Sequence, residues 1–296
     1  MRRERFFDIS FHAANYIFFA LFTLCCIYPF YYILINSVSD PVLAAKGVYL
    51  LPKGFNLTVY REMLSREAIT ISFGVSLSRA VIGTIITVFS CALFSYIITK
   101  REMPLRKTVY RLVVVTLYLN AGLIPWYLTM RELGLKNNFM LYILPSVIAG
   151  FFIILMKTFI EQIPPALEEA AVMEGAGYFM IFTKIIIPVS LPIIATVTVF
   201  NAVNQWNSWM DNLFLVNDPR LQTLQLTLLN FLKQSEALAN EATRQLMGNN
   251  QKNQQLISPQ NVKMAITMIV TTPILFIYPF MQKYFVKGIM LGSIKG

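Results

Sequence analysis

The chain is 296 residues long, 56% hydrophobic and only 14% charged, with a formal net charge of +10. An ordinary soluble domain, in which about a quarter of residues carry charge, is excluded by that balance. The positive excess is mainly a topology signal with some room for contact with anionic lipid, and nothing in the sequence supports a nucleic-acid partner.

Apolar residues gather in charge-free runs at 13–39, 80–99, 112–130, 137–156, 185–210 and 264–282. Each is about the length that crosses a bilayer as a helix. Six such runs predict an all-α polytopic membrane protein with six transmembrane helices, near 13–38, 69–99, 108–131, 137–160, 184–215 and 263–285. The whole of 1–296 reads as a single transmembrane domain, with no internal repeat.

The first run follows Arg2, Arg3 and Arg5. It is too long for a removable signal peptide, holds Pro29 and lacks a small-residue cleavage pattern, so it reads as the first span. Cys25 and Cys26 lie in it and Cys91 in the second; without metal spacing, all three read as small core hydrophobes. An outside segment, 40–67, leads to the second span, where Arg79 stands near the outer end. Snorkelling, pairing with Asp211 or meeting an acidic sugar would each accommodate it, the first two better than the third.

Lys100, Arg101, Arg106, Lys107 and Arg111 follow the second span, and Lys283, Lys287 and Lys295 follow the sixth. With the N-terminal arginines, these short basic segments fall on one side, which the positive-inside rule makes cytoplasmic. Both termini and the loop 161–184 are therefore expected inside. The third span holds Asn120, Gly122 and Pro125, the fifth opens with Pro188 and Pro192, and the sixth contains Pro273 and Pro279. Such interruptions suit broken helices around a watery cavity, or kinked helices that merely pack. The external loop 217–262 carries Arg220, Lys233, Arg244 and Lys252, and its polar stretch GNNQKNQQ (248–255) reads as mobile.

Between the fourth and fifth runs stands EEAAVMEGAGYFMIFTKIIIP, residues 168–188. Pro164 and Pro165 suit a helix start, and Glu168 and Glu169 follow near its positive end. Leu167, Ala170, Ala171 and Glu174 fall at helical spacing, and Gly175 and Gly177 free the backbone to turn. A short helix–turn–helix along the cytoplasmic face, shaped for a partner's groove, is the expectation; an ordinary amphipathic loop is the alternative. In the fifth span, Asn201, Asn204, Gln205, Ser208 and Asp211 share one side of a helix, flanked by Trp206 and Trp209. Amides and aromatic faces suit a carbohydrate pathway. Equally, amides can bond between helices while tryptophans mark the outer interface. No G-x-x-x-x-G-K-[ST], H-E-x-x-H or G-x-S-x-G occurs, so the chain reads as no enzyme and binds no nucleotide of its own.

The order Glu169-Ala170-Ala171, Glu174-Gly175-Ala176, then Phe182, Ile185, Pro188 and Pro192, resembles the EAA loop of binding-protein-dependent ABC importer permeases, with Glu174 where aspartate is commoner. YIITKREMPLRK (96–107) resembles the basic loop of the maltose-type members. GLIPWYLTMRELGL (122–135), WNSWMDNL (206–213) and the ending VKGIMLGSIKG (286–296) resemble the oligosaccharide subgroup, which includes importers of alginate and pectin fragments. The resemblance implies the type I permease fold in a bacterial inner membrane. It also implies a second homologous permease, two ABC ATPase subunits that hold ATP and Mg, and an external solute-binding protein. This chain itself would carry no cofactor or metal. Coupling to the ATPase would fall to Glu169, Ala170, Ala171, Glu174, Gly175, Ala176, Gly177 and Pro188. The cargo implied is an oligosaccharide, an acidic one among the options, although in maltose-type relatives the partner permease supplies most substrate contacts. By position, the external loop resembles the segment that reaches into the binding protein. Another small solute, or in a different class an intramembrane enzyme or a receptor, are the alternatives.

Overall fold

The computed structural model describes the backbone of residues 2–44, 47–119, 121–247 and 259–293. In chain order its helices are α1 (Arg2–Ser37), α2 (Pro41–Ala44), α3 (Thr58–Ser65), α4 (Glu67–Thr99), α5 (Arg106–Tyr118), α6 (Leu123–Glu132), α7 (Gly150–Ile160), α8 (Pro165–Met173), α9 (Tyr178–Ile181), α10 (Ile187–Val189), α11 (Leu191–Asn207), α12 (Met210–Leu215), α13 (Leu224–Met247) and α14 (Pro259–Ser293). Short 3-10 turns at Phe139–Tyr142, Leu144–Ser146 and Pro219–Leu221, and a π-helical segment at Phe182–Ile186, join them. No strand forms among the described residues; one isolated bridge pairs Ser39 with Phe55.

Three helices are long and apolar enough to cross a membrane: 10–37 within α1, α4, and 260–277 within α14. Two bent pairs raise the number to five among the described residues: 139–146 with 150–160, at 46°, and 178–189 with 191–207, at 81°. The region expected as the third span is divided between α5 and α6. Leu119 ends α5 in an extended conformation, and Gly122 opens α6 at φ +83°; Asn120 lies outside the described residues. The fourth and fifth spans are likewise broken, each at a proline or beside one, as ring and missing N–H require.

The chain divides into two compact units, 1–66 with 228–272, and 67–227 with 273–296. In the first, α1 presents Phe18, Phe19, Phe22, Leu24 and Ile27 to the outside, and none of its apolar window is buried. A helix apolar all round and unburied by protein belongs in lipid. Cys25 and Cys26 sit on this exposed surface rather than in a core, while Cys91 is buried as expected. The end of α1 is tied by polar groups: Asn261 Nδ2 donates to the carbonyls of Asn36 and Ser39, 3.1 Å each, and Asn36 Nδ2 to those of Tyr32 and Val48.

The second unit is built around α4, which packs along α11 and α7. Its buried stripe includes Ser72, Ser76, Gly83, Thr84, Thr87, Cys91 and Ser95, small residues at three- and four-residue steps. Small side chains let membrane helices approach closely, and hydroxyls bond across the seam. Thr87 donates to the Ser146 carbonyl and Ser95 to that of Ile153, both at 3.0 Å. Gly83 marks the tightest approach, since a Cβ there would meet Gln205 Nε2 at 2.9 Å. Further along, Val88, Tyr96, Ile153, Met156, Ile181, Phe182 and Ile186 form the apolar core.

The region 217–262, expected as an external loop, is not simply a loop: 24 of its residues form α13, on which Leu224 and Leu226 are buried. Leucines at helical spacing override the polar tail that follows. The stretch 248–255 lies outside the described residues.

Candidate functional site

Two places carry the residues singled out by sequence, and both lie in the second unit. The first is α8 and the turn after it. Pro164, extended at ψ 128°, and Pro165 start the helix, with Glu168 in the first turn. Its end is closed by a Schellman motif: Ala176 N–H donates to the Ala171 carbonyl and Gly175 N–H to that of Val172, both at 2.9 Å. Gly175 supplies the left-handed residue, φ +84°. Gly177 corrects the sequence expectation. It has φ −76° and needs no glycine freedom.

The two sides of α8 differ. Inward, Ala171 is buried, Ala176 packs on the core, and Glu168 pairs with Lys100 at the end of α4. Outward, Glu169, Ala170 and Glu174 are exposed beside Leu167, Val172 and Met173, the last 87% exposed. Neither Glu169 nor Glu174 makes an ion pair among the described residues. Aromatic exposure continues through Tyr178 and Phe179. A small acidic helix with a bare apolar rim can dock into a protein groove, and nothing about it suggests chemistry of its own.

From α8 the chain passes through α9 and the π segment to Pro188 in α10, then bends by 81° into α11. Pro188 has no N–H for the Lys184 carbonyl one turn back, and Pro192 none for that of Pro188. The widened π turn and the bend fall where those bonds are missing.

The second place is a cavity of about 400 Å³. Asn201, Asn204, Gln205, Ser208 and Asp211 all line it, together with Arg79, Ser146 and the rings of Trp126, Tyr142, Phe151, Phe152 and Phe200. These five α11-side residues do not share one continuous helix, as the spacing suggested. α11 stops at Asn207, Ser208 is extended, and α12 begins at Met210. The break frees the Ser208 carbonyl for Arg79.

Arg79, 4% exposed, is the centre of the polar network. Its Nη1 and Nη2 donate to Asp211 Oδ1 and Oδ2 at 3.0 and 2.5 Å, Nε to Gln205 Oε1 at 2.9 Å, and Nη1 also to the Ser208 carbonyl at 3.3 Å. The guanidinium lies 4.6 Å from the Tyr142 ring centroid. Of the readings open for Arg79, the structure shows the pair with Asp211. Gln205 Nε2 donates on to Ser146 Oγ at 2.8 Å, and Asn201 Nδ2 to Thr84 Oγ1 at 3.3 Å. Asn212 and Tyr142 extend the network, bonded to each other at 2.7 Å. Asn204 differs from its neighbours: it is exposed to the cavity, and its amide has no partner among the described residues.

Two candidates leave the site. Trp206 is buried against Phe73, ring centroids 5.9 Å apart, and Trp209 caps α12 without lining the cavity. Trp126, Tyr142 and Ser146 take their place; they come from other helices, and no spacing within one helix could have found them.

The chain matches the family model described as "Binding-protein-dependent transport system inner membrane component" over residues 1–291. It is 35% identical to the polygalacturonan/rhamnogalacturonan transport system permease protein YtcP of Bacillus subtilis, covering 99% of this chain and 100% of that one. It is also 34% identical to Protein LplC of the same organism, over 99% and 96%. Among solved structures it resembles the crystal structure of a bacterial ABC transporter involved in the import of the acidic polysaccharide alginate. The TM-score is 0.82 and the identity 29%, over 94% of this chain and 97% of that one. The chain belongs to the family of binding-protein-dependent transport system inner membrane components: it is a permease subunit of an ABC importer that works with an ATPase and a solute-binding protein.

Proposed function

We propose that this permease imports oligosaccharides, acidic ones rich in uronate among them, along a path that includes the 400 Å³ cavity. The observation that carries the reading is the composition of that cavity. Asn204 offers an unpaired amide to sugar hydroxyls, and Trp126 and Phe200 offer faces to sugar rings. The cargoes of relatives, polygalacturonan/rhamnogalacturonan and alginate, support an acidic cargo here. The cavity's own cation, Arg79, is neutralised by Asp211, so acidity is to be met mainly by the partner subunit or the binding protein.

In the same reading, α8 enters a cleft of the ATPase through Glu169, Ala170 and Glu174, with Ala171, Gly175 and Ala176 shaping it and Pro188 passing its movement on. ATP and Mg are held by two ATPase subunits, and a second, homologous permease completes the pathway. Arg2, Arg3 and Arg5 and the basic segment after α4 support cytoplasmic termini in the inner membrane. The test is uptake of labelled oligogalacturonate into proteoliposomes holding the full importer, challenged by unlabelled alginate oligomers or by neutral maltotriose. Competition by the acidic oligomers alone supports the proposal. Competition by maltotriose alone, or by neither, refutes the acidic assignment.

A further inference from the structure

Polar anchors hold α4 at two points. Toward its start, Arg79 grips Asp211, Gln205 and the Ser208 carbonyl at the cavity. Just past its end, Lys100 pairs with Glu168 of α8, the two side chains only 17% and 24% exposed. Lys100 Nζ also stands 4.0 Å from the Tyr96 ring centroid, and Tyr96 packs on Phe182, centroids 5.5 Å apart, where the π segment begins. Between the anchors α4 runs unbroken for about 30 Å, at 1.5 Å per residue.

The covalent route from α8 to the cavity is of another kind. It passes a π turn, Pro188 and an 81° bend before reaching α11, which itself opens with Pro192. Sites lacking backbone bonds yield under load, and a continuous helix does not. A displacement of α8 therefore meets a compliant path along the chain and a stiff one through Lys100 and α4.

We propose that the Lys100–Glu168 pair is a transmission latch, which makes α4 move with α8 and so carries the ATPase stroke to the Arg79 end of the cavity. Lys100 and Glu168 are positioning residues for transport. The proposal rests on reading α8 as the ATPase-docking helix. Glu168 takes no part in that docking, because its carboxylate turns inward to α4 while Glu169 and Glu174 remain exposed. An exposed ion pair would be too weak for this task. Here both charges are mostly withdrawn from water, and an aromatic face supports the cation.

The test uses the assembled importer in nanodiscs. Spin labels are placed at the exposed Ile97 of α4 and Ala166 of α8, with Cys25 and Cys26 replaced. The α4–α8 distance is measured nucleotide-free and vanadate-trapped, and bound ATPase is scored in the same samples. In the native pair the distance is expected to be the same in both states. In Lys100→Met or Glu168→Gln it shifts or broadens on trapping, while ATPase stays bound. Oligogalacturonate taken up per ATP hydrolysed falls about fivefold or more, the lower end of ordinary coupling. The exchanged pair Lys100→Glu/Glu168→Lys, which keeps the ion pair but not the Tyr96 support of the cation, recovers a good part of both readouts, which a fold defect would not. If the single variants keep ATPase, a fixed distance and full uptake per ATP, the latch is wrong and the docking reading survives. If the native chain binds no ATPase, the docking reading falls and the latch with it.

Discussion

Replacing Asp211 by asparagine keeps the shape of the side chain and removes its charge. Arg79 would then sit 4% exposed with no anion against it. One amide oxygen can still accept from Nη1, but an amide N–H would face Nη2, donor against donor, where the carboxylate now accepts at 2.5 Å. Breaking a buried pair by removing one partner costs about 3–5 kcal/mol, chiefly for the charge left behind. The bonds to Gln205 and the Ser208 carbonyl persist, so we expect the lower end, about 3 kcal/mol. At roughly 2–4 °C per kcal/mol for a chain of this order, the half-denaturation temperature should fall by about 6 °C or more. Monodispersity of the detergent-solubilised importer after heating reads this directly. The double variant Arg79→Met/Asp211→Asn should be clearly less unstable than the sum of its singles, because neither partner is then left charged. As a control, Glu132→Gln, which breaks the exposed pair with Arg131, should change stability by no more than about 0.5 kcal/mol. An Asp211→Asn chain within about 2 °C of native, or additive singles, would refute the assignment of a buried, mutually dependent pair.

Gly83→Ala should displace the Gln205 side chain, since its Cβ would lie 2.9 Å from Nε2. Losing the bonds of Gln205 to Arg79 and Ser146 should cost about 1–3 kcal/mol in the same heating assay. Gly175→Val should weaken ATPase binding through about 1–2 kcal/mol or more of left-handed strain, and Gly175→Asn, which tolerates that region, should bind better than the valine variant. Gly177→Ala should be neutral in the same pull-down, because its φ is −76°. Asn204→Ala should leave heat stability unchanged and raise the half-saturating sugar concentration about twofold to tenfold, the worth of one hydrogen bond; uptake kinetics in proteoliposomes decide it.

The membrane helices were legible wherever a long charge-free run coincided with a small-residue stripe, as in α4, where serines, glycine, threonines and cysteine mark the buried side. The helix α8 was legible because proline, acidic first turn and glycine stop are local signals, each tied to one backbone requirement. Gly175 and Gly177 could not be told apart in sequence; only φ separates them. The cavity was half legible. Spacing grouped Asn201, Asn204 and Gln205, but the break at Ser208 has no strong sequence marker, and Trp206 was drawn in by proximity alone. Trp126, Tyr142 and Ser146 reach the cavity from elsewhere in the chain, and such convergence is a tertiary property. α13 was hidden because its leucines precede a polar tract that dominates the composition of the region.

Solubilising the importer from its native membrane and scoring the ATPase that copurifies tests the central claim most directly, with the native permease beside the Gly175→Val variant. The native chain should bring the ATPase down and the variant should lose most of it while remaining monodisperse. A native chain that brings down no ATPase, under conditions that keep its solute-binding protein attached, would contradict the assignment of α8 as the helix through which this permease is driven.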